Sequence, residues 1–135
     1  MADVEKHNEQ IVRQFFEALS SGDLKKLCMM LHEQATWDVM VTGIQGAGEK
    51  RGRKTIIDDF LKPVREGLFE PGDPKVLIQS LVLQGPRAGV EAKGLGKLKN
   101  GKEYDNRYAF MIEIKDDRIF PLHEYIDSYY MNRLG

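Results

Sequence analysis

Cysteine is nearly absent from this chain: Cys28 stands alone among 135 residues. One thiol cannot close an internal disulfide, which suits a reducing compartment. It lies in the apolar run LCMML at residues 27–31, where a buried, inert thiol is expected rather than a nucleophile. An excess of charge of one sign is also lacking. The 20 Lys and Arg are mixed along the chain with 21 Asp and Glu, for a net charge of −1. That balance argues against electrostatic capture of nucleic acid or an anionic membrane. No segment approaches the roughly 20 apolar residues that span a bilayer. The opening MADVEKHNEQ has no apolar stretch of the signal-peptide kind, so a cytoplasmic protein is expected. His7, His32 and His123 are scattered without close Asp or Glu spacing, so no metal site is expected. The glycine-rich stretch TGIQGAGEKRG carries neither the Walker pattern nor the dinucleotide-binding spacing. It reads as a flexible connection or lid, KRGRK at 50–54 reads as a solvated basic loop, and no cofactor is called for. Repeats, low-complexity tracts and linkers are missing too, and the length fits one domain over residues 1–135.

What is present is helical periodicity first and strand alternation afterwards. From Val4 to Ser20, the residues Ile11, Val12, Phe15, Phe16 and Leu19 form one apolar stripe of a helix. SSGD breaks it, and Asp23 can cap a short second helix carrying Leu24, Leu27, Met30 and Leu31. His32 then falls near that helix's C-terminus, where an imidazole suits the dipole. QATWDVMV reads as a strand with Trp37, Val39 and Val41 on one side. A third helix runs from about Lys54 to Gly67, and Pro63 should kink or shorten it. KVLIQSLVLQ, VEAKGLGKL, KEYDNRYAFMIEI and RIFPLHEYIDSYYM follow as strands. Asn100-Gly101 predicts a two-residue hairpin, and Asp116-Asp117 a second tight turn. Helices followed by an antiparallel sheet give an α+β domain with the helices on one sheet face.

The strand EYDNRYAF, residues 103–110, has an unusual inner face. Tyr104, Asn106, Tyr108 and Phe110 alternate with Asp105, Arg107 and Ala109, which places phenols and an amide where a plain core would use Val or Leu. Such a face suits the polar wall of a pocket.

The order of elements resembles the NTF2-like superfamily, in particular its SnoaL-like and ketosteroid-isomerase-like group. The likeness is carried by IVRQFFEALSSGDLKKL, ATWDV, RGRKTIIDDF and above all GKEYDNRYAFMIEIKDDRI…LHEYID, and it covers essentially the whole chain. It implies a cone-shaped curved antiparallel sheet packed against N-terminal helices, an apolar internal pocket, and a homodimer. Its members include isomerases, dehydratases, cyclases, epoxide hydrolases and non-catalytic proteins, so the site must be argued residue by residue.

Against limonene epoxide hydrolase, the family's Arg-x-Asp pair falls at Glu91 and Lys93 with signs exchanged, and its terminal acid falls at Glu124. Its water-holding Tyr-x-Asn becomes Trp37-Asp38-Val39. Against ketosteroid isomerase, the tyrosine donor falls near Phe15 and the base at Val39, with Asp38 one position early. Neither mechanism is therefore expected unchanged. In the aligned register Glu91, Lys93 and Glu124 face inward with Tyr104, Asn106, Tyr108, Phe110 and Leu122, and Trp37 closes the pocket as an apolar wall. The expected catalytic set is Glu124 as general base beside Lys93, with Glu91 or a tyrosine hydroxyl as acid. The same residues could instead form a satisfied internal ion and hydrogen-bond network. His123 and Tyr125 fall on the opposite sheet face, where a dimer would pack. Two functions remain open: a cofactor-free isomerase, lyase or hydrolase acting on a small, mostly apolar molecule, or a dimeric ligand-binding or interaction module without chemistry.

Overall fold

A computed structural model describes residues 2–134. The long amphipathic helix is α1 (Asp3–Ser21), which buries Ile11, Val12, Phe15, Phe16, Ala18 and Leu19. Gly22 ends it in the left-handed conformation, φ 71°, and Asp23 accepts from the Lys26 amide to start α2 (Leu24–Met30). β1 (Leu31–Val39) begins one residue later, so His32 is a strand residue rather than a helix-terminal one. Its Nε2 lies 3.7 Å from Asp116. β2 (Gly48–Arg51) follows the glycine-rich loop.

The third helix survives its proline. A short α3 (Arg53–Thr55) leads into a π-helical stretch, Ile56–Leu61, and then α4 (Lys62–Leu68). Pro63 has no N–H for the carbonyl four residues back. The wider winding, in which the Lys62 amide donates to Ile57, carries the chain past it and aims Phe60 at the sheet.

The strands β3 (Lys75–Gln84), β4 (Arg87–Lys97), β5 (Glu103–Lys115) and β6 (Arg118–Ile126) form a meander, and the six-stranded curved sheet is ordered β2-β1-β6-β5-β4-β3. One pairing departs from the antiparallel expectation: β1 runs parallel to β6, which the chain reaches through β2, the helices and the strands β3 to β5. Asp116 and Asp117, φ 53° and 59°, make the tight turn between β5 and β6. Asn100-Gly101 does not form a two-residue hairpin. Leu98 pairs with Lys102 across a three-residue loop, and Gly101 takes the positive φ at its end. The C-terminal stretch is also corrected. β6 stops at Ile126, and Asp127 caps a final helix, α5 (Ser128–Arg133), through the Tyr130 amide.

α1 packs across β3 and the inner face of the sheet, with the Phe16 ring 5.1 Å from that of Phe110. Cys28 is half-buried against this core. Arg65 of α4 fastens the helical layer to the sheet. Its guanidinium donates to Leu19 O (2.8 Å) and Ser20 O (3.0 Å) at the end of α1, and to Pro74 O (3.2 Å) before β3. Arg65→Met leaves these half-buried carbonyls without donors, and chemical denaturation is expected to show a loss of about 2 kcal/mol. Among the described residues, no helix is long and apolar enough to cross a membrane.

Candidate functional site

Strand pairing decides which side chains meet on the inner face. One row runs Val39, Glu124, Phe110, Val90 and Leu81 across five strands. A single carboxylate thus stands in a row that is otherwise hydrocarbon. The neighbouring row runs Lys50, Trp37, Leu122, Ile112 and Ala88. Glu124 is only 7% exposed. Trp37 Nε1 donates to its Oε1 at 2.8 Å. Every buried side-chain nitrogen and oxygen among the described residues has a hydrogen-bond partner. Oε2 of Glu124 has none from the protein, so it is the oxygen that reaches the cavity beside it.

That cavity has a volume of about 120 Å³ and is walled by Trp37, Val39, Phe60, Tyr108 and Phe110, with Glu124 as its acid. Burial among apolar groups pushes the Glu124 carboxyl up from 4.5 to about 7, against the Trp37 hydrogen bond and the Lys50 charge, which both favour the anion. A carboxyl poised there can give or take a proton at neutral pH. Trp37→Phe removes one of the two opposing influences. It is expected to move the Glu124 titration above its present value, read from the carboxyl ¹³C shift, by on the order of one pH unit.

Tyr104 and Tyr108 stand one strand over. Their hydroxyls are hydrogen-bonded to each other, and Asn106 Nδ2 donates to Tyr104 Oη at 3.2 Å. Burial pushes Tyr104 up to about 12 and Tyr108 well above its ordinary value, so both stay protonated donors. Gly94 makes room for the pair. A Cβ there would stand 2.6 Å from Tyr108 Cε1 and 3.1 Å from Tyr104 Cε2.

The structure gathers Glu124, Trp37, Tyr104, Tyr108 and Phe110 around the cavity. Asn106, 1% exposed, sits behind the phenols: besides Tyr104 it bonds the Asp127 carbonyl and the Arg107 amide, and it does not line the cavity. Leu122 is fully buried in the core next to Trp37. Glu91 and Lys93 are a correction. On β4 the inward positions are Val90, Ala92 and Gly94, so Glu91 is exposed and Lys93 half-buried on the outer face. A one-residue difference in strand register reverses the face of every side chain, and no Glu–Lys–Glu cluster forms. His123, half-buried, and Tyr125, exposed, lie on that outer face beside Met111 and Ala109.

The cation near Glu124 is Lys50 instead, from the basic stretch read as a solvated loop. As the strand partner of Trp37 it shares the inner face. Its Nζ lies 4.4 Å from the Phe60 ring centre and bonds the Gly46 and Gly48 carbonyls. The signal that could have found it is the alternation of EKR opposite TWD once β2 is recognised as a strand.

A family model described as the SnoaL-like domain matches residues 12–121. Among curated proteins no match was found. Bal32a from a soil-derived mobile gene cassette is 22% identical, with 95% of each chain covered and a TM-score of 0.80. An NTF2-like protein from Burkholderia xenovorans LB400 is 26% identical over 96% of this chain and 95% of its own, with a TM-score of 0.75. An LEH-like epoxide hydrolase from M. tuberculosis is 18% identical over 96% of this chain and 89% of its own, also with a TM-score of 0.75. With most of its length matched by that model and the curved sheet folded over N-terminal helices, the chain belongs to the SnoaL-like domain family, of NTF2-like fold.

Proposed function

We propose that the chain is a cofactor-free acid–base catalyst, an isomerase, lyase or hydrolase, acting on a small, mostly apolar molecule. One observation carries this reading: a buried carboxyl, held by the Trp37 indole through one oxygen, presents its other oxygen to an apolar cavity. As the anion, Glu124 takes a proton from a substrate carbon or a water. The Tyr104–Tyr108 pair donates to the oxygen on which charge develops. A ligand that displaces water from the cavity strengthens both interactions. The assignment of an epoxide hydrolase to a structural neighbour fits acid–base chemistry within this fold, while the substrate of this chain is left to its own cavity.

The test is proton exchange at an activated carbon. 2-Tetralone in D₂O exchanges its α-hydrogens by general-base catalysis, followed by NMR. Wild type is expected to accelerate exchange as pH rises through about 7, and Glu124→Gln to reduce it by roughly 100-fold or more. Equal exchange in both proteins sinks the proposal. The alternative, a binding module without chemistry, draws support from the phenols and Asn106, which satisfy one another without a ligand. It predicts ligand stabilisation that survives Glu124→Gln without exchange.

Pairing into a homodimer through the outer sheet face belongs to the same proposal. Support comes from exposed Met111, Val82 and Tyr125 on that face, and sedimentation would read the mass. The lone thiol Cys28 supports a cytoplasmic setting.

A further inference from the structure

The cavity beside Glu124 does not end at its apolar walls. At about 120 Å³ it has room for roughly one ring, a cavity of about 150 Å³ being filled by benzene. Phe60, Val64, Leu68, Tyr104 and Met131 line both it and an adjoining vestibule of about 810 Å³. The two spaces differ in chemistry. The inner chamber has Glu124 and Tyr108 in a largely hydrocarbon setting, its one cation, Arg65, being already committed to the Leu19, Ser20 and Pro74 carbonyls, whereas Lys50, Lys99, Asn100, Asn132 and Asp59 line the vestibule.

The charges in the vestibule are not equivalent. Asp59 and Lys99 are exposed to solvent. Lys50 is half-buried. Its ammonium is held by the Gly46 and Gly48 carbonyls over the Phe60 ring, and among the described residues it forms no ion pair. Burial lowers its pKa, with the more distant Glu124 and Asp38 acting in the opposite sense. A charge already partly stripped of water gains most from a counter-ion, because the attraction is screened least there. Carbonyl oxygens orient such an ammonium without neutralising it.

We propose that the ligand is an anionic amphiphile, with a ring-sized apolar portion in the chamber against Trp37 and Phe110 and a carboxylate-like or sulfonate-like group in the vestibule at Lys50. The inference rests on reading the inner cavity as a binding chamber for an apolar molecule. It adds the second compartment and the sign of the charge that the compartment selects. Lys50 acts here in binding, apart from the proton carrier.

Two dyes of one skeleton separate the compartments. 8-Anilinonaphthalene-1-sulfonate carries an anion, and N-phenyl-1-naphthylamine lacks it. Both report binding by fluorescence and by quenching of Trp37, the single tryptophan of the chain. At about pH 6, Glu124 is largely protonated, so a change at Lys50 does not alter its charge. Lys50→Met, which keeps the aliphatic stem over Phe60, is expected to weaken the sulfonate dye roughly ten-fold and leave the neutral dye unchanged. Lys50→Arg, which keeps the charge, is expected to retain the sulfonate dye. Added salt should weaken the sulfonate dye on wild type, a test that requires no substitution. The two dyes should also displace each other.

Equal losses for both dyes in Lys50→Met, no loss for either, no competition between them, or salt-insensitive sulfonate binding would overturn this inference while leaving the chamber reading in place. A neutral dye that fails to bind wild type would overturn the chamber reading, and this inference with it.

Discussion

Glu124→Gln is expected to lose catalysis by roughly 100-fold or more and, at the same time, to make the protein more stable above pH 7. The two effects share one cause. In the unfolded chain the carboxyl titrates at its ordinary 4.5, and in the fold at about 7. Between those values the native state holds a proton that the unfolded state has released. Native stability therefore falls as pH rises through this window and levels off once the folded carboxyl has ionised. A rise from 4.5 to about 7 corresponds to a loss of about 3 kcal/mol relative to acid conditions. Glutamine retains an Oε1 for the Trp37 indole and has no charge to bury. Denaturant titrations of the two proteins should nearly coincide at about pH 4.5 and separate by up to about 3 kcal/mol at about pH 8, with the variant the more stable. A carboxylate present only to complete an ion network would give the reverse, since removing one partner of such a network destabilises.

The second large effect is expected at Gly94, which no chemical argument from its own side chain would single out. The phenol rings of Tyr104 and Tyr108 lie over its α-carbon, and an added methyl would stand 2.6 Å from Tyr108 Cε1. Its backbone carries no positive φ, so space alone is at issue. Tyr104 is held by Asn106, by the Phe69 ring at 4.9 Å and by Met131, and Tyr108 is stacked on Phe110 at 5.7 Å, so neither ring can give way cheaply. Gly94→Ala is expected to cost about 1–3 kcal/mol in thermal or denaturant unfolding. It should also separate the two hydroxyls, so that tetralone exchange falls while the Glu124 titration stays near its present value. Gly43→Ala, where an added methyl meets nothing within 4 Å, reports the cost of positive φ without crowding and serves as the contrast.

The fold was legible because its signals are local and agree. The stripe Ile11, Val12, Phe15, Phe16, Leu19 lies buried as its spacing requires, and Asp23 caps α2. The polar aromatic face of residues 103–110 was legible too, since alternation alone places Tyr104, Tyr108 and Phe110 together. Glu91 and Lys93 went astray for an instructive reason. Alternation within β4 gives Val90 and Ala92 the buried face, whereas the register borrowed from an epoxide hydrolase placed their charged neighbours there. The elementary period was the sounder guide. Lys50 was hidden because β2 is only four residues long and polar, so nothing local marks it as a strand; its position follows from pairing with β1. The final helix was hidden by its tyrosines, which favour strands. Asp127, able to cap a helix two residues before Tyr129, was the contrary signal.

The central claim is that Glu124 titrates near neutrality within the cavity, and it is tested most directly by ¹³C NMR of the glutamate side-chain carboxyls across pH, with Glu124→Gln supplying the assignment. The account predicts one resonance with its midpoint at about 7, absent from the variant. If every glutamate carboxyl, Glu124 included, instead titrates within about half a unit of the ordinary 4.5, then the carboxyl is solvated, and the acid–base reading of this cavity is wrong.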